Sequence, residues 1–141
     1  MDVLAHNVLA AAICPMPANI VRHVFLDPAA REIYPDWWAV AAESAAALRA
    51  SALGMEDDPG LTALGGELSL KSPEFRGLWA RHEVRAKSSG TKRMRTGEGL
   101  LEVTWETLSV ASAPGQQVVA YLVRPGSADV LDRLRAGAGA P

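Results

Sequence analysis

The chain has 141 residues, 49% of them hydrophobic and 21% charged, and a formal net charge of −2. That is the length of one domain with an ordinary globular composition, which excludes a disordered or fibrous chain and lets about two thirds of the unfolded surface be buried. A single cysteine, Cys14, excludes an intramolecular disulfide framework and a cysteine-pair zinc site, and it fits a reducing cytosol.

In chain order, Val3 to Asn7 reads as a short strand ended by Asn7. The Ala-rich stretch behind it contains the longest uninterrupted apolar run, Val8 to Cys14. A membrane-spanning helix needs ~20 such residues, so no span is expected. Cys14-Pro15-Met16-Pro17 breaks the chain. Asn19 is placed to cap a short helix through Phe25 and Leu26, and Asp27-Pro28 starts another in the favoured order of cap then proline. Pro35 interrupts it. From Asp36, the residues Trp37, Val40, Ala41, Ser44 and Leu48 recur on one face of an amphipathic helix that Gly54 is placed to close.

Asp58-Pro59 repeats the start signal, with Leu61, Leu64 and Leu68 on one side. Gly65-Gly66 weakens that helix by about 1 kcal/mol per glycine, so a close contact or a frayed turn is expected there. Ser72-Pro73 opens a fourth helix whose inner face carries Phe75, Leu78, Trp79 and His82. After Ser88-Ser89-Gly90 the period changes. Residues 91 to 95 read as a basic strand, and Leu101, Val103 and Trp105 alternate with polar residues. Leu108 and Val110 take the opposite parity, which predicts a bulge near Glu106 and Thr107. Ala113-Pro114-Gly115 turns the chain into Val118 to Val123, apolar on both parities and therefore a candidate central strand. Pro125-Gly126 stops it, and Ser127 is placed to cap a last helix with Val130, Leu131 and Leu134 inward. A strand, a helical middle and a run of antiparallel strands make an α+β domain, with helices packed on one face of the sheet.

Chemistry is sparse. His6, His23 and His82 are scattered, and His82-Glu83 lacks the second histidine of a helical zinc motif. No phosphate-cradling glycine loop or nucleophile elbow occurs, so neither an enzyme nor a cofactor is expected. Cys14 beside Pro15 reads as a small apolar residue rather than a nucleophile. Residues 81 to 95 hold Arg81, Arg85, Lys87, Lys92, Arg93 and Arg95 against Glu83 alone, a local +5. Lacking interleaved aromatics, this run reads as a solvated face or an anion or partner contact before it reads as a DNA-binding surface. The aromatic residues fall mostly on inward faces, which is ordinary core; gaps among such rings are also how apolar ligands are held.

The segments FLDPAAREIYPDWWAV (25 to 40), GGELSLKSPEFRGLWARHEV (65 to 84), SGTKRMR (89 to 95), WETL (105 to 108) and RPGS (124 to 127) resemble, in order, the MmyB-like transcription regulator ligand-binding domain. The resemblance implies a PAS-like sensor fold. It also implies a place as the carboxy-terminal module of an XRE-type helix-turn-helix regulator, and a fatty acid or similar lipophilic ligand held between sheet and helices. No helix-turn-helix precedes Met1, so the chain is expected to be a single sensor domain, meeting DNA only through a domain outside residues 1–141. It departs from the family at His6-Asn7 for Trp-Asn, at Thr96-Gly97 for His-Pro, and at Trp105 for a Tyr before Glu106, so a pocket wall of different shape from that of relatives is expected.

On this reading the ligand-binding candidates are Phe25, Tyr34, Trp37, Leu64, Leu68, Phe75, Trp79, His82, Arg85, Lys92, Val103, Trp105, Val119 and Tyr121. A carboxylate head would meet the sheet edge of Lys92 and Arg93 next to His82 and Arg85, and its tail would lie among Trp79, Leu68, Val103 and Tyr121. Ligand binding would then bias a homodimer or an interdomain contact in the cytoplasm. The competing readings are an interaction module with a solid core and an enzyme acting on an acyl substrate.

Overall fold

A computed structural model describes residues 1–53, 58–84 and 88–139. Gly54 and Arg85, expected to close a helix and to meet a ligand head, lie outside the described residues. The elements run α1 (Val8–Ile13), α2 (Ile20–Leu26), α3 (Ala29–Ile33), α4 (Trp37–Ala52), α5 (Pro59–Lys71), α6 (Pro73–Trp79), β1 (Ser89–Thr96), β2 (Gly99–Ser109), β3 (Gln117–Val123), a 3-10 turn (Pro125–Ser127) and α7 (Ala128–Ala138). The protein is of the α+β class, and its contacts divide it into two compact units.

The first unit comprises residues 1–4, 17–32 and 36–86 and holds α2 to α6, apart from the last residue of α3. Its helices start where the local signals put them, because each cap satisfies backbone N–H groups that a first turn leaves open. Asn19 accepts from Val21 and Arg22, Asp58 from Gly60 and Leu61, and Ser72 from Phe75. The side-chain amide of Asn19 also donates to Asp2 at 2.8 Å. The predicted strand at Val3 to Asn7 is not formed. Instead Asp2 makes an isolated bridge with Asn19, Val3 N–H donates to the Ala18 carbonyl, and Asn7 caps α1. A cap closes one helical turn locally, whereas a strand needs a partner along its whole length.

All five residues of the predicted α4 face are buried. Val21, Val24, Ala30, Leu64, Leu68 and Phe75 complete the core of this unit. Gly65-Gly66 makes neither the predicted contact nor a frayed turn. Helix α5 runs through unbroken, and a Cβ at either glycine would meet nothing within 4 Å. Ion pairs brace the outside, with Arg22 and Lys71 on Glu67 at 2.8 and 2.9 Å and Arg31 on Glu74 at 2.6 Å.

The second unit comprises residues 5–16, 33–35 and 87–141. Its sheet is antiparallel in the order β1-β2-β3, with Lys92 opposite Val103, Met94 opposite Leu101, and Trp105 between Gly90 and Tyr121. Helix α1 packs on α7 and β1, and α7 packs on β2. The side-chain period of two puts Met94, Leu101, Val103 and Trp105 on one face, and all four are buried.

Three expectations are corrected here. No bulge interrupts β2, whose pairing with β3 continues in register from Trp105 through Glu106, Thr107, Leu108 and Ser109. Leu108 simply points to the opposite face, where it is exposed. The central strand is β2, not β3. Strand β3 lies at the edge with Val118, Val119, Tyr121 and Leu122 exposed, so apolar residues on both parities do not here report burial on both faces. Ser127 stands before α7 without a side-chain cap bond; its hydroxyl accepts from the Glu102 N–H of β2 at 3.0 Å.

Candidate functional site

The predicted ligand-binding residues fall into two groups, one in each unit. In the helical unit, the packing of α2, α4 and α6 brings four rings into a chain. Phe25 meets Trp37 and Phe75 edge-on, with centroids 6.1 and 5.0 Å apart, and Phe75 stacks on Trp79 at 5.2 Å. These are the offset and edge geometries that ring quadrupoles favour. The indole N–H of Trp37 is satisfied by the Val24 carbonyl at 2.9 Å, which lets a large amphipathic ring be buried.

Two arginines cover this chain of rings. Arg31 lies 3.7 Å over Trp37, and Arg49 lies 3.9 Å over Trp79 while donating to the Trp79 carbonyl. Neither arginine was a sequence candidate, because a cation over a ring 6 or 30 positions away leaves no local signal. Leu64 and Leu68 are core residues of α5. His82 does not share the inner face of α6. The helix ends at Trp79, and His82 is exposed in a left-handed turn (φ 55°) with its ring Nδ1 2.8 Å from the Ala80 carbonyl.

In the sheet unit the remaining candidates converge. Lys92 stands on the buried-face side of β1, opposite Val103, and is itself half-buried. Its ammonium donates to the Tyr121 hydroxyl at 3.0 Å and lies 4.7 Å from the centroid of that ring and 5.9 Å from that of Tyr34. Tyr34, between α3 and α4 in sequence, is 5% exposed. Burial pushes its phenol up, and the neighbouring Cys14 and Tyr121 add to the shift, so it is held as an O–H donor. Burial likewise pushes the Cys14 thiol up, against the pull of Lys92.

Cys14 is thus the residue whose place in this cluster sequence reasoning missed. The small-apolar reading accounts for its partial burial but not for its electrostatic coupling to Lys92 and Tyr34. Val119 precedes Tyr121 by two residues, on the same face of β3, and is 51% exposed.

Trp105 is fixed by a glycine. A Cβ on Gly90 would come within 2.8 Å of the indole, so only glycine leaves the ring its place against β1. The cluster therefore places the Lys92 ammonium and the neutral Tyr34 phenol beside aromatic surface. Among the described residues, no group of three or more His, Cys, Asp or Glu is placed to hold a metal ion. No described helix is long and apolar enough to cross a membrane.

By fold the protein is an α+β domain whose antiparallel sheet carries ionisable groups on its covered side. The chain belongs to the MmyB-like transcription regulator ligand binding domain family, which it matches over residues 1–136. That family is a regulatory ligand-binding domain rather than a known enzyme family. No curated protein and no solved structure matches the chain.

Proposed function

We propose that this domain is the sensor of a bacterial transcription regulator and binds a lipophilic small molecule of the fatty-acid kind. The observation that carries this reading is the family match along residues 1–136. The sheet unit supports it, since Tyr34, Lys92, Val103, Trp105, Val119 and Tyr121 gather apolar area around a few polar groups, the composition by which small-ligand sites combine affinity with orientation. Binding would act by differential affinity for two states of a cytoplasmic homodimer, and DNA would be read by a helix-turn-helix domain outside residues 1–141.

The test is mass spectrometry of an organic extract of the purified protein, with sedimentation run in parallel. Co-purified acyl species that leave the protein on delipidation and return on titration are the expected result. A clean extract, together with no binding across a series of acyl chain lengths, would remove the sensor reading and leave an interaction module.

A further inference from the structure

We infer that the outer edge of β3 is where two copies of this domain meet, their β3 strands pairing antiparallel about a two-fold axis at Ala120 to make one continuous sheet. The inference rests on the homodimer in the reading above and adds to it the surface, the register and the residues that face one another.

The two edges of the sheet are unlike. Strand β1 carries Lys92, Arg93 and Arg95, and pairing two such edges would set like charges against one another. Strand β3 has no charged residue and no proline from Gln117 to Val123, and its pairing with β2 runs without a bulge. Charges, prolines and bulges are the devices that keep a strand edge from adding another strand, and β3 has none of them. Among the described residues, no strand pairs with its outer side. Val118 and Leu122 are 53% and 55% exposed, on the face that also exposes Leu108.

The backbone of that edge is oriented for pairing. The Arg124 N–H donates to the Glu102 carbonyl at 3.0 Å and the Val110 N–H to the Gln116 carbonyl at 3.2 Å, so the even-numbered residues bond to β2. Alternation then turns the N–H and C=O groups of odd-numbered residues, Gln117, Val119 and Val123 among them, away from β2. An axis at Ala120, the middle of the strand, overlaps its whole length. Hydrogen-bonded pairs at each end put Gln117 opposite Val123 of the second copy. Between them Val118 faces Leu122 and Ala120 faces Ala120, in the non-hydrogen-bonded pairs that bring side chains closest. Apolar meets apolar along the exposed face, so a second β3 fits better than a charged or polar segment. Pairing one edge with itself also closes after two copies, whereas β3 on β1 of another copy would continue without end. One strand edge lies at the small end of interfaces, below the ~800 Å² per partner of stable complexes, so the association should be weak and concentration-dependent, a population that ligand can shift. The Tyr121 side chain keeps its bond to Lys92 and is not called on.

The experiment is sedimentation equilibrium of the purified protein over a concentration series from micromolar to millimolar. The wild type is expected to pass from monomer to dimer within that range and to stop there. Val119→Pro removes an N–H that faces the edge and none that bonds to β2, so it should keep the fold and raise the dissociation constant about tenfold or more. Val118→Lys and Leu122→Glu should each weaken the dimer by a similar factor. The two together in one chain should recover most of the affinity, because each introduced cation then faces the introduced anion of the second copy. Circular dichroism checks that each variant folds; if Val119→Pro does not, the two charge variants and their combination decide the matter. A wild type that stays monomeric throughout would overturn the interface and the homodimer with it, while the sensor reading still stands or falls on the acyl extract. A dimer untouched by all three single variants would overturn the edge and leave a homodimer built elsewhere. Single variants that weaken the dimer without recovery in combination would overturn the axis at Ala120.

Discussion

In the helical unit, three helices begin on a side chain that closes their own first turn, and ion pairs between neighbouring elements tie the outside. In the sheet unit, Ser127 stands where a cap is expected but holds the Glu102 N–H of β2 instead, and Trp105 keeps its place because Gly90 has no side chain. One unit is assembled from locally capped helices joined by side-chain contacts, the other largely from backbone pairing across strands. The difference teaches that similar residue types can serve local closure or long-range bracing: Asn7 of the sheet unit caps α1, whereas Ser127 holds a strand. What they do depends on whether the nearest unsatisfied backbone group belongs to their own helix or to a strand that arrives later in the chain.

The largest expected effect breaks the helical unit. Phe75 is fully buried between Phe25 and Trp79, so Phe75→Ala removes the middle of the ring chain and leaves a cavity. We expect a loss of about 3–5 kcal/mol, read as a lower urea midpoint. A change under about 1 kcal/mol would mean that the rings repack freely.

The sheet unit is probed by overpacking rather than by a cavity. Gly90→Ala forces a Cβ against the Trp105 indole and is expected to cost about 1–3 kcal/mol, with a change in the near-ultraviolet signal of tryptophan. An unaltered spectrum and midpoint would show that β1 can move away from the ring.

The smallest effect sharpens the contrast on the acid side. Asp27 is held below the usual carboxylate range, chiefly by the Ala29 N–H and also by His23. Glu74 is lowered by its own backbone N–H, with Ser72 and Arg31 adding to it, and Glu67 by Lys71 and Arg22. A carboxylate whose folded-state pKa is depressed stabilises the fold above its unfolded value, and that contribution is lost as pH falls through the folded value. The helical unit should therefore weaken progressively below about pH 4, where unfolded carboxylates begin to hold their protons more tightly than these do. Because Glu67 and Glu74 are partly open to solvent and their partners are charged, high salt should shrink the effect at these two. Hydrogen exchange followed from pH 6 to pH 3 reads this directly; flat protection over α2, α5 and α6 would refute it.

The boundaries of the helical unit were legible because caps and prolines act within one turn. Asn19, Asp58-Pro59 and Ser72-Pro73 mark helix starts wherever they fold. The inward face of β2 was equally legible, since Leu101, Val103 and Trp105 keep one parity. The order of the strands was not. An apolar run such as Val118 to Val123 states that a strand would tolerate cover on both faces, while edge or centre is fixed by which strand pairs with it. The supposed bulge had the same origin, a change of parity taken for a change of register.

The candidate site divides along the same line. Lys92, Tyr34 and Tyr121 were each named from the sequence as separate residues. That they meet depends on pairings between distant parts of the chain, and Cys14 came with them unannounced. Composition, caps and alternation by themselves determined an α+β domain, its helix starts and the apolar face of its middle strand, because those follow from interactions among residues close in the chain. Only the tertiary structure decided that β2 is central, that Ser127 braces a strand, and that one lysine sits on the covered side between two phenols. Those outcomes depend on which distant backbone and side-chain groups satisfy one another, and no local pattern encodes that choice.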